Sequence, residues 1–108
     1  MVAVVFTEGP LAGERIALDR EMTVGRADCD ITLDDRQVSR RHLALRPADT
    51  ELQVEDLGSS NGTFVNGRRI DETVSAGDGD VVQLGTSELI VQVGVPADPA
   101  AADRESSG

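Results

Sequence analysis

The apolar residues of this chain recur at every second position, and only in short runs: Ile16 with Leu18, Ile31 with Leu33, Leu43 with Leu45, and Leu52 with Val54, each pair separated by a polar or small residue. A period of two is that of a β-strand, whose successive side chains point to opposite faces. Glu51-Leu52-Gln53-Val54-Glu55 is the clearest instance, with one wet and one buried face. No helix-length window keeps the i, i+3, i+4, i+7 spacing without Gly or Pro breaking it. Turn-forming clusters separate the runs: Glu8-Gly9-Pro10, Ala12-Gly13, Asp34-Asp35, Pro47-Ala48-Asp49, Gly58 to Gly62, Asn66-Gly67 and Gly77-Asp78-Gly79. Many short strands at such spacing predict an antiparallel sandwich or barrel.

Two of the connections are specific. Asn66 and Gly67 both tolerate positive φ, so the pair predicts a type I′ turn between Phe64-Val65 and Arg68-Arg69-Ile70. A second strand pair is predicted over Asp80 to Leu84 and Leu89 to Val93, joined near Gly85-Thr86. After Val95 the composition turns to Pro, Ala, Asp, Glu, Ser and Gly, which bury too little apolar surface to offset the entropy of ordering them. A single domain over residues 1–95, followed by a flexible tail or linker over 96–108, is therefore expected. No internal repeat is visible.

Composition narrows the function. Phe6 and Phe64 are the only aromatics, which removes the stacking surface that single-strand nucleic-acid binders use. A formal net charge of −10 repels nucleic-acid backbones and anionic membranes alike. The ten basic residues are all Arg, a bias that a GC-rich genome accounts for, yet Arg26, Arg36, Arg40, Arg41, Arg68 and Arg69 all fall at or near predicted loops. An acidic body with arginine at its loop ends is suited to holding a small anion. Cys29 and His42 are single residues of their types, so neither a disulfide nor a zinc site is expected, and no cofactor is implied. Val2 to Phe6 is too short for a signal-peptide core and no run approaches a membrane span. A cytoplasmic location is the resulting expectation.

Three clusters gather polar side chains at strand ends: Gly25-Arg26, Ser39-Arg40-Arg41-His42 and Gly58-Ser59-Ser60-Asn61-Gly62-Thr63. In a sandwich the loops at one end converge, so clusters distant in sequence can form one site. Arginine forks, serine hydroxyls and amides in turns suit a tetrahedral dianion. Asn61 can donate and accept together, as gripping a peptide backbone requires.

Taken in order, Gly25-Arg26, Cys29-Asp30-Ile31, Val38-Ser39-Arg40-Arg41-His42 and Asp56-Leu57-Gly58-Ser59-Ser60-Asn61-Gly62-Thr63-Phe64-Val65-Asn66-Gly67 resemble the signature of forkhead-associated (FHA) domains. The resemblance spans residues 1–95. It implies an all-β, eleven-stranded antiparallel sandwich of two sheets that recognises phosphothreonine through loops at one end. By similarity, Arg26 clamps the phosphate, Ser39 and Ser60 donate hydroxyl bonds to it, Arg40 adds a contact, and Asn61 holds the peptide main chain. Gly25, His42 and Gly62 support the site from within. Gln37, with Arg36 and Arg41, is expected to select the residues that follow the phosphothreonine.

Each residue also has a plainer reading. Arg26 could pair with an acidic neighbour, Ser39 could cap a turn, and Asn61 could occupy a positive-φ corner. His42 lacks the nucleophile and orienting acid that a catalytic base needs, so no enzymatic activity is expected. The leading expectation is a monomeric phosphothreonine-dependent interaction module acting downstream of a Ser/Thr protein kinase. Its rival is a scaffold of the same fold that docks a partner through its sheet face without phosphate.

Overall fold

A computed structural model of the chain describes residues 2–94. Eleven strands follow in order: β1 (Val2–Glu8), β2 (Arg15–Leu18), β3 (Met22–Gly25), β4 (Ile31–Thr32), β5 (Leu43–Pro47), β6 (Leu52–Asp56), β7 (Thr63–Val65), β8 (Arg68–Arg69), β9 (Val74–Ala76), β10 (Val81–Leu84) and β11 (Ser87–Val93). They form a six-stranded sheet in the order β2-β1-β11-β10-β7-β8 and a five-stranded sheet in the order β4-β3-β5-β6-β9. No helix occurs among the described residues. The predicted tail over 96–108 lies outside them.

The alternating residues point into one core between the sheets. Val2, Val4 and Phe6 of β1 meet Leu89 and Val91 of β11 and Val82 and Leu84 of β10, while Val24, Leu43, Leu45, Leu52 and Val54 come from the facing sheet. Leu33 and Val38, in the long connection before β5, are also buried. Burying one such side chain contributes about 1.5–3 kcal/mol, so this connection is anchored like a strand although it forms none.

Asn66 at φ 52 and Gly67 at φ 82 make the predicted turn between β7 and β8, a geometry that matches the twist of the strands. Gly85 at φ 59 opens the tight link from β10 to Ser87, so β11 begins two residues before the predicted Leu89. Every pairing is antiparallel except β3 with β4, where Val24 lies beside Ile31 and Gly25 beside Thr32. Parallel neighbours ordinarily need a long crossover. Here β4 is only two residues long; the Leu33 amide donates to Gly25 O at 2.8 Å, and Asp30 supplements the short ladder by accepting from the Thr23 amide at 2.9 Å and pairing with Arg20 at 3.3 Å.

Register fixes which connections meet. Val24 lies opposite Leu43, Leu43 opposite Asp56, and Leu84 opposite both Thr63 and Ser87. The segments after β3, before β5, after β6 and between β10 and β11 therefore share one pole of the sandwich. Val2 and Val93 pair at the opposite pole.

Candidate anion-binding site

Gly25 sets the geometry of the pole. A Cβ there would stand 2.2 Å from the Arg40 carbonyl oxygen and 2.8 Å from Cys29 Sγ, so only glycine admits so close an approach. Past it, the Arg26 amide donates to Ser39 O at 3.0 Å and the Ala27 amide to Arg40 O at 3.2 Å. These bonds hold the arginine of one segment beside the serine and arginine of the other.

His42 is fully buried behind this junction. Its Nδ1 accepts from the Ser39 amide at 3.0 Å, so the proton resides on Nε2, which donates to Gly62 O at 2.9 Å. One imidazole thus joins the Ser39 turn to the loop after β6. That loop is tied across the site twice more: the Ser60 amide donates to Ser39 Oγ at 3.0 Å, and Asn61 Nδ2 donates to Gln37 O at 2.8 Å. Ser39 Oγ acts only as acceptor in this bond, so its own proton is available to another acceptor. Gly62, at φ 87, lies under the Arg69 side chain.

Two aspartates brace the loops from below. Asp56 accepts from the amides of Gly58 and Ser59 at 3.0 and 3.1 Å, from Thr63 Oγ1 at 2.7 Å, and from the Ser59 hydroxyl. Burial pushes its carboxyl up, but these bonds outweigh it and hold the group below the ordinary value of 3.8. Asp35, only 5% exposed, accepts from the Gln37 amide, the Thr86 amide and hydroxyl, and Ser87 Oγ at 2.8–3.0 Å. The same balance of burial against hydrogen bonds leaves its pKa lowered. The segment before β5 is thereby fastened to the β10–β11 turn.

Between the braced loops lies an open cavity of about 260 Å³ lined by Arg26, Arg36, Gln37, Val38, Ser39, Arg40, Ser60 and Asn61. Every residue expected to touch phosphate is in this wall. Of the three residues expected to set selectivity, Gln37 and Arg36 line it, whereas Arg41 is exposed outside it. Gly25, His42 and Gly62 are buried beneath. Arg26 and Arg36 form no salt bridge among the described residues, while Arg40 pairs with Asp28. Unpaired guanidinium groups, hydroxyls and an amide around a small open cavity can neutralise and orient a tetrahedral oxyanion.

Sequence reasoning missed the two bracing aspartates. Asp56 carries a local signal, since an Asp followed closely by Gly and Ser commonly accepts from the amides just ahead of it. Asp35 bonds to residues some fifty positions away, and nothing in its neighbourhood announces them.

A two-sheet sandwich that gathers such donors at one pole is a recognition module, and sequence comparison agrees. The FHA domain model matches residues 22–85. Glycogen accumulation regulator GarA of Mycolicibacterium smegmatis is 47% identical over 96 residues, covering 87% of this chain and 60% of that protein. The chain thus spans somewhat over half the length of the curated relatives it matches. The FHA domain of the CT664 protein from Chlamydia trachomatis superposes with a TM-score of 0.81 at 29% identity, covering 87% of this chain and 98% of that one. An FHA domain solved for its phosphothreonine-dependent interactions superposes at 0.75 with 33% identity, covering 88% and 98%. The chain belongs to the FHA domain family, and FHA domains are interaction modules that bind phosphothreonine.

Proposed function

We propose that this domain captures phosphothreonine-containing segments of partner proteins after a Ser/Thr kinase has modified them, and that the cavity at the loop pole is where it does so. The observation that carries the reading is the convergence of Arg26, Ser39, Arg40, Ser60 and Asn61 on one cavity. Arg26, with no acidic partner among the described residues, supplies the main charge. Ser39 and Ser60 donate to the phosphate oxygens, and Arg40 adds a contact. Asn61, whose Nδ2 is held by Gln37 O, offers its carboxamide oxygen to a peptide amide. Gln37 and Arg36 read the residues after the phosphothreonine, with Arg41 contributing charge from outside the wall.

The module is residues 1–95, with 96–108 a tail or linker outside it, and it works as a monomer in the cytoplasm without nucleic acid, membrane or catalysis. Likeness to a glycogen accumulation regulator supports a partner in metabolism. The test is Arg26→Ala, titrated calorimetrically against a peptide selected from a phosphothreonine library. Loss of a charge-assisted bond worth roughly 1.5–3 kcal/mol weakens binding about 10- to 150-fold with the fold intact. Unchanged affinity in a folded variant would favour phosphate-independent docking on the sheet face.

A further inference from the structure

The connection between β3 and β4 carries a carboxylate for which the binding role above has no use. Asp28 stands at φ 58, a left-handed conformation that costs most side chains energy and that Asp tolerates better than others. Its Oδ2 accepts from Arg40 Nε at 3.0 Å and from Arg40 Nη2 at 2.5 Å. Those two nitrogens form the edge with which a guanidinium grips a phosphate through parallel bonds. The arginines of the cavity wall are therefore not equivalent: Arg26 and Arg36 are unpaired among the described residues, and Arg40 already holds an anion. Asp28 itself is not part of the wall.

We propose that Asp28 is a competing counter-ion that limits the affinity of the site: it occupies Arg40 in the unliganded protein, and bound phosphate recruits Arg40 by exchange for Asp28. The proposal rests on the phosphothreonine reading. Arg26 contributes its full attraction, whereas Arg40 contributes only the difference between phosphate and carboxylate. The Arg40 and Asp28 side chains are 71% and 68% exposed, so the exchange needs no repacking. If Asp28 instead oriented Arg40 toward the ligand, removing it would weaken binding, so the sign of the effect decides.

Asp28→Asn keeps a residue tolerant of positive φ, and Asp28→Gly removes the side chain at a position where glycine is unstrained. A short alanine-rich peptide with one central phosphothreonine serves as the calorimetric probe. Both variants are expected to bind about 2- to 5-fold tighter than wild type, the scale of exposed ion pairs. The gain is expected to vanish in an Arg40→Ala background, where no pair remains to be broken. Asp34→Asn, which removes an exposed carboxylate from a neighbouring segment, should give a much smaller gain. Unchanged or weaker binding in both Asp28 variants overturns the proposal, as does a gain that survives Arg40→Ala or is matched by Asp34→Asn. Absence of wild-type binding overturns the phosphothreonine reading itself, and this proposal with it.

Discussion

Asp56 and Asp35 each accept four hydrogen bonds, Asp56 from the loop after β6 and Thr63 at its end, Asp35 from the Gln37 amide and the β10–β11 turn, so the shape of the site depends on two ionised carboxylates that lie outside the cavity wall. Both are held below 3.8 in the folded protein. The folded state then binds protons less readily than the unfolded one, so the stabilisation is complete above the unfolded pKa and is lost as pH falls through the folded value. The thermal midpoint is expected to stay level down to about pH 5 and to drop below about pH 4. Asp56→Asn should lower stability at neutral pH by roughly 1–3 kcal/mol and flatten the acid drop. Scanning calorimetry across pH checks both, and an acid profile identical to wild type would remove Asp56 from this role. Because its loop carries Ser60 and Asn61, the same variant should also bind phosphopeptide less tightly.

At the scale of elements, the approach of β3 to the segment entering β5 is the tightest in the pole. Gly25→Ala would drive a Cβ into the Arg40 carbonyl; backbone cannot swing aside like a flexible side chain, and such overpacking costs about 1–3 kcal/mol. Urea denaturation should show that loss, and titration should show weaker phosphopeptide binding, since Arg26 and Ser39 are displaced together. Retained affinity in a destabilised variant would mean that the junction serves the fold alone. The strands themselves were legible in the sequence: alternation places β5 and β6, and Asn66-Gly67 places the turn from β7 to β8. The parallel partner of β3 was not, because β4 is two residues long and its pairing leans on the Asp30 side chain. Within the site, Arg26, Ser39 and Asn61 stood out as polar residues at strand ends. Asp28 was hidden because its importance comes from a left-handed backbone and a partner twelve residues on.

For the whole molecule, the strand order β2-β1-β11-β10-β7-β8 joins the first strand to the last, and no local pattern foretells a pairing that spans almost the whole described chain. The net charge of −10 is carried on a body whose loop pole concentrates arginines, so one end attracts what the rest repels. Two acid thresholds then separate binding from folding. A phosphate monoester loses its second charge near pH 6, whereas the bracing carboxylates titrate below 3.8. Affinity is expected to fall between about pH 6 and pH 5 while circular dichroism stays constant; a level affinity across that range would mean that the second phosphate charge is not read. The pairing of Val2 with Val93 has a practical corollary. Each stands at the far end of a seven-residue strand, roughly 20 Å from the loop pole, so a biotin or surface tether attached beyond either residue leaves that pole turned toward the solution. An immobilised array of this domain would present uniformly accessible sites whichever end carried the anchor.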